Sequence, residues 1–99
     1  MKTPTFPDVR CVGMYFRGPE AEAMAEALLP GDVLALEREP YNIHDENAIK
    51  VMLRDTHIGY IARQSAAFIA AYMDDGAEFS ATVTGRHGQY PLLTVGPAA

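Results

Sequence analysis

The stretch EPYNIHDENAIK, residues 39–50, places Asn42, His44, Asp45 and Asn47 in one short polar loop. A hairpin turn needs one or two residues of this kind, so the surplus of hydrogen-bonding groups is open to a ligand. A carboxylate such as Asp45 accepts a hydrogen bond from a hydroxyl, and bonds with an ionised partner are the stronger ones. The same charge repels a phosphate offered at that point. His44 can stack as a ring or, once protonated, donate to an anion. Arg63 sits where a helix is expected to start, adding a guanidinium to the positive dipole end and its free N–H groups. Tyr60 offers a hydroxyl or a ring face, and Tyr15 and Phe16 offer aromatic faces. Each has a duller explanation. Asn42 and Asp45 are common turn formers, Asn47 borders a strand and can tie the loop to it, and a lone Tyr15 is more often a core aromatic.

Catalysis finds less support in the same residues. His44 and Asp45 are adjacent and point apart in most loops, and no nucleophile with a base at hand is visible. The chain has no phosphate-binding Gly-Lys-Ser/Thr motif, no paired cysteines and no histidine pair at zinc spacing. Asp45, Glu46 and Asn47 lack the alternating acids and closing Glu of a calcium loop. The residues read as a binding site, with neither enzyme activity nor a cofactor or metal expected.

The elements that position them follow from periodicity. VRCVGMYF, Val9 to Phe16, is rich in β-branched and aromatic residues and predicts a first strand. On such a strand Tyr15 and Phe16 face opposite ways, so Tyr15 is expected in a pocket and Phe16 in the core. Gly18-Pro19 opens a helix, with Glu20 and Glu22 at its positive end and an apolar stripe of Ala21, Met24, Ala25 and Leu28. Pro30-Gly31 ends it, and DVLALERE alternates as a second strand. After the polar loop, AIKVMLR and HIGYIA predict a close hairpin. RQSAAFIAAYMDDG then has Ala62, Ala66, Ile69 and Met73 on one helical face and stops at Gly76. AEFSATVTG and PLLTV, on either side of the Gly88 turn, complete about six strands and two helices. Short strands without a βαβ run predict a mostly β, α+β fold, a small β-barrel capped by helices.

The chain has 99 residues, 48 % of them hydrophobic and 21 % charged, which is one ordinary globular domain with a small core. The single domain is expected over residues 9–96, with a flexible N-terminus at 1–8. No apolar run approaches the ~20 residues of a membrane span, and the N-terminal residues lack the apolar stretch of a signal peptide. The single Cys11 rules out an internal disulfide, so a reducing, cytoplasmic location is expected. A net charge of −5 argues against a broad nucleic-acid platform. Glu20, Glu22 and Glu26 concentrate acid in one helix, leaving room for a local basic pocket elsewhere.

EPYNIHDENAIKV followed by IGYIAR resembles the HIRAN domain, a module found fused to helicase-like and nuclease proteins and also alone in bacteria. VGMYFRG, LLPGDVLALERE and the alanine-rich helix ending in MDDG agree in the same order, so the resemblance spans roughly residues 9 to 86. It implies an OB-like, or SH3-like, β-barrel with two helices. It also implies capture of the 3′-hydroxyl end of single-stranded DNA, in repair or the processing of stalled forks. Helicase or nuclease proteins are the protein partners it suggests. The family's nucleic-acid-binding positions fall here on Tyr15, Phe16, Asn42, His44, Asp45, Tyr60 and Arg63. Asn42-Ile43-His44-Asp45 stands where members often read Asn-Pro-Tyr-Asp, and Met14 where some carry a basic residue. A different reading is a protein-interaction adaptor that docks a partner on the acidic helix or along an edge strand. Arg17, His44, Arg63 and Arg86 gathered around Tyr15 would favour the DNA-end reading, and the same charges scattered with the apolar surface elsewhere would favour the adaptor.

Overall fold

Alternation along the strands becomes the inside and outside of a closed barrel in the computed structural model, which describes residues 2–98. Six strands, β1 (Phe6–Val12), β2 (Val33–Arg38), β3 (Ile49–Leu53), β4 (Thr56–Ile61), β5 (Phe79–His87) and β6 (Tyr90–Pro97), pair antiparallel in the order β1-β4-β3-β2-β5-β6. Leu34, Ile49, Val51, Ile58, Leu93 and Val95 fill the interior and are almost wholly withdrawn from solvent. Each such side chain contributes roughly 1.5–3 kcal/mol by burial. Cys11 joins them as a small apolar group, and burial pushes its thiol up to about 12. Closure gives every strand two bonded neighbours, so the edge strand of the adaptor reading does not exist among the described residues.

Three helices accompany the barrel where two were expected: α1 (Met14–Arg17), α2 (Pro19–Glu26) and α3 (Arg63–Asp74). The additional one corrects the first strand, which ends at Val12 instead of running to Phe16. Gly13 takes φ +80°, a left-handed conformation that ends the ladder after the Val12–Tyr60 pairing. The chain then turns once as α1. Met14 swings into the core, while Tyr15 and Phe16 lie 73 % and 87 % exposed, their rings edge-to-face at 5.5 Å. Phe16 is therefore not a core residue. At its other end β1 reaches into the segment expected to be loose, with Phe6 opposite Val95. Pro7, lacking an N–H, and Asp8 at φ +54° shift the register there, as a bulge does.

The α3 boundaries agree with the apolar spacing, and Ala66, Ile69 and Ala70 are its buried face. The helix stops at Gly76, φ +101°, whose N–H donates to the Met73 carbonyl while that of Ala77 donates to Tyr72. That pair of bonds is a Schellman cap. The same end is held by Arg38 on β2. The Arg38 guanidinium meets both carboxylate oxygens of Asp74 at 2.9 and 3.2 Å and donates to the carbonyls of Ala48 (2.7 Å) and Glu46 (3.0 Å). One side chain thus fixes α3 to the polar loop.

Candidate nucleic-acid interface

The polar loop is built around Asn42. Its Oδ1 accepts the backbone N–H groups of His44 (2.8 Å) and Asp45 (3.0 Å), and its Nδ2 donates to Glu39 at 2.7 Å. Both ends of this side chain hold the loop, so the turn-forming explanation accounts for its contacts. Asp45 uses one oxygen in the same way, accepting the Asn47 N–H at 2.9 Å. Its other oxygen lies 3.8 Å from Arg63 Nε and faces the cleft. Arg63 donates to the His44 carbonyl at 2.9 Å, which draws the start of α3 onto the loop. Ala62 gives that helix no side-chain cap; the Ser65 N–H turns back to the Ala62 carbonyl at 3.0 Å, which leaves the N–H groups of Arg63 and Gln64 for an anion. Asn42, His44, Asp45 and Arg63 thereby line one open cleft of about 440 Å³.

Tyr60 stands on the flank of this cleft. Its hydroxyl donates to Glu39 at 2.7 Å and lies 3.5 Å from Asn42 Nδ2. Hydrogen bonds from Asn42 and Tyr60 hold the Glu39 carboxyl below its usual range, so it stays an anion. Burial, followed by the Glu39 contact, pushes the Tyr60 hydroxyl up, so it stays a donor. His57 packs edge-on against the Tyr60 ring at 4.7 Å, and burial together with the Arg17 charge moves its imidazole down. It is half-buried.

Tyr15 and Phe16 belong to a second cleft, of about 500 Å³, beyond Tyr60 on the side of Gly13. Tyr90, Gln89 and Gly88 from the β5–β6 turn also line it, with Glu22 and Glu26 of α2. Arg10 lies over the Tyr90 ring at 5.7 Å from its centroid, close enough for cation–π attraction. Arg86 lines this cleft too, but its Nη2 is taken up by the carbonyls of Ala25, Glu26 and Leu28 at the end of α2.

Six of the seven sequence-derived residues thus line one of two clefts, and Tyr60 lines neither but lies between Asn42 of the one and Gly13 of the other. The basic groups divide between them instead of gathering around Tyr15. Arg63 and His44 serve the loop cleft, Arg86 is a helix anchor, and Arg17 lies near enough to Tyr60 and His57 to bear on both. Tyr15 and Phe16 in one cleft and Ile43 in the other are largely in solvent, as are Tyr41, Leu29, Val33 and Phe68, which line neither cleft. Tyr90, Arg38, Glu39 and His57 were missed from sequence. Only Tyr90 carried a signal, an aromatic directly after a Gly-containing turn.

The HIRAN domain family model matches residues 8–96. A crystal structure of a protein from Lactobacillus plantarum is similar over 94 % of this chain and 92 % of its own, with 30 % identity and a TM-score of 0.81. The crystal structure of the HIRAN domain of human HLTF is similar over 97 % and 79 %, at 21 % identity and a TM-score of 0.67. The NMR structure of the HLTF HIRAN domain gives 95 % and 76 %, at 22 % identity and 0.64. At these identities the two HLTF structures speak to the fold alone. No curated protein matches the chain.

Proposed function

The chain belongs to the HIRAN domain family, a family of nucleic-acid-binding modules, and from that premise we propose that it captures the 3′-hydroxyl end of single-stranded DNA. The observation that carries the reading is the loop cleft. An acceptor carboxylate, Asp45, lies beside the guanidinium of Arg63 and the uncapped start of α3. A terminal nucleotide has a hydroxyl for the first and a phosphodiester for the second. A 3′-phosphate in place of the hydroxyl meets the Asp45 charge and is disfavoured.

Beyond Tyr60, the exposed faces of Tyr15, Phe16 and Tyr90 stack the adjoining bases at ~1–3 kcal/mol each, whatever their sequence. His44 adds a ring or, when protonated, a phosphate donor. Asn42 acts by holding the loop, and Tyr60 stands between the two clefts. The module binds and does not catalyse. Its place is repair or stalled-fork processing, with helicase or nuclease proteins supplying the chemistry.

Fluorescence anisotropy at low salt tests this with a short labelled strand ending in a 3′-hydroxyl, the same strand ending in a 3′-phosphate, and a blunt duplex. The free hydroxyl end is expected to bind tightest, and Asp45→Ala to erase that preference. Absence of binding to all three at high protein concentration removes the reading and leaves the adaptor, with α2 as its docking face.

A further inference from the structure

The aromatic cleft contains a carboxylate that no group in the protein pairs. Glu22 is half-buried on α2 and lines the cleft with Tyr15, Phe16 and Tyr90. Its side chain makes no ion pair and no hydrogen bond among the described residues. Arg86, the basic residue that lines the same cleft, spends its Nη2 on the carbonyls of Ala25, Glu26 and Leu28. Glu26 extends the same acidic wall one turn further along. A carboxylate only accepts, so Glu22, open to solvent on the cleft side, can exchange its water for a donor that enters the cleft.

A base stacked on these aromatic faces turns its edge toward the cleft walls. Cytosine, adenine and guanine carry exocyclic amino donors on that edge, which a glutamate accepts well. Thymine and uracil offer two carbonyl oxygens around a single N–H, so most of their edge meets the carboxylate acceptor to acceptor. The same charge keeps phosphate out of the cleft and the backbone outside it.

Building on the strand-end reading, we infer that Glu22, supported by Glu26, makes the aromatic cleft selective for a nucleobase bearing an amino group over thymine or uracil. One such contact, partly open to solvent, corresponds to about five- to tenfold in affinity.

The experiment titrates the full chain against labelled single strands that share a 5′ portion and a free 3′-hydroxyl but end in three cytosines, three adenines or three thymines. The wild-type protein is expected to favour the cytosine and adenine ends by that factor. Glu22→Gln carries both a donor and an acceptor and is expected to bring the three ends within about twofold. Removing a negative charge raises affinity for every strand, so the ratio between ends is the readout. Thermal unfolding checks that the variant folds, and Glu26→Gln gives an independent, smaller loss of preference. A thymine end bound as tightly as the others by wild type overturns the inference while the strand-end reading stands. So does a ratio unchanged in Glu22→Gln. Failure of the wild type to bind any strand overturns both.

Discussion

Gly59 sits where three parts of the molecule converge, and its missing side chain is a packing requirement. A Cβ there would come 2.7 Å from the Val12 carbonyl oxygen and 3.0 Å from Cys11 Sγ, with Met14 close behind. The nearest of these is backbone in a paired strand and cannot move cheaply. Gly59→Ala is expected to destabilise the protein by about 2–3 kcal/mol, read as a lower urea midpoint at unchanged slope. Next to it, His57 lends stability a pH dependence. Its imidazole lies below the ordinary 6.5, chiefly because it is withdrawn from water, then through the charge of Arg17. Between the folded value and 6.5 the unfolded chain binds a proton that the native state does not. Stability therefore falls as pH drops through that window, and levels off once the native imidazole is protonated too. His57→Gln is expected to lose less melting temperature than wild type between about pH 7.5 and pH 5.5.

Among the elements, the loop and the turns decide how much of this site could be read from sequence. Alternation and helical spacing gave β2 through β6, α2 and α3 in order, because those patterns report burial directly. They misplaced the end of β1, since Met14, Tyr15 and Phe16 suit a strand by composition and only the backbone at Gly13 turns them into a helix. Arg38 was invisible for a different reason. Its partners, Asp74 and the carbonyls of Ala48 and Glu46, come together only in three dimensions. Arg38→Ala is expected to cost about 1–2 kcal/mol. Faster amide exchange at residues 45–48 would mark the loop as the part released. Arg38→Lys restores little, because an ammonium cannot reproduce the planar fork. The β3–β4 turn makes the opposite prediction. Arg54 holds φ +54° there without a glycine's freedom, so Arg54→Gly is expected to raise stability by about 0.5–1 kcal/mol, measured as a higher denaturation midpoint.

For the whole molecule the question is how a chain of net charge −5 holds a polyanion at all. Four of its eight lysines and arginines are already engaged. Arg38 is bound to Asp74, Lys50 lies 3.3 Å from Glu37, Arg86 caps α2, and Arg10 covers Tyr90. Arg63, whose Asp45 contact is loose, and Arg17 are the cations best placed beside the two clefts. A strand end held this way gains its affinity from stacking, from the Asp45 hydroxyl contact and from one or two phosphates, not from a long electrostatic track. Counterion release then predicts a shallow salt dependence, with log K against log salt falling at a slope of about −0.7 to −1.4 for a single strand. A protein tracking six phosphates would give a slope near −4. Anisotropy titrations across a range of salt concentrations separate the two. Arg63→Gln is expected to make the slope shallower by about 0.7, while Tyr15→Ala weakens binding at every salt concentration and leaves the slope where it was. A steep wild-type slope would mean that the backbone runs along a surface other than the two clefts. A shallow one, reduced further by Arg63→Gln and untouched by Tyr15→Ala, assigns charge to the loop cleft and stacking to the aromatic cleft.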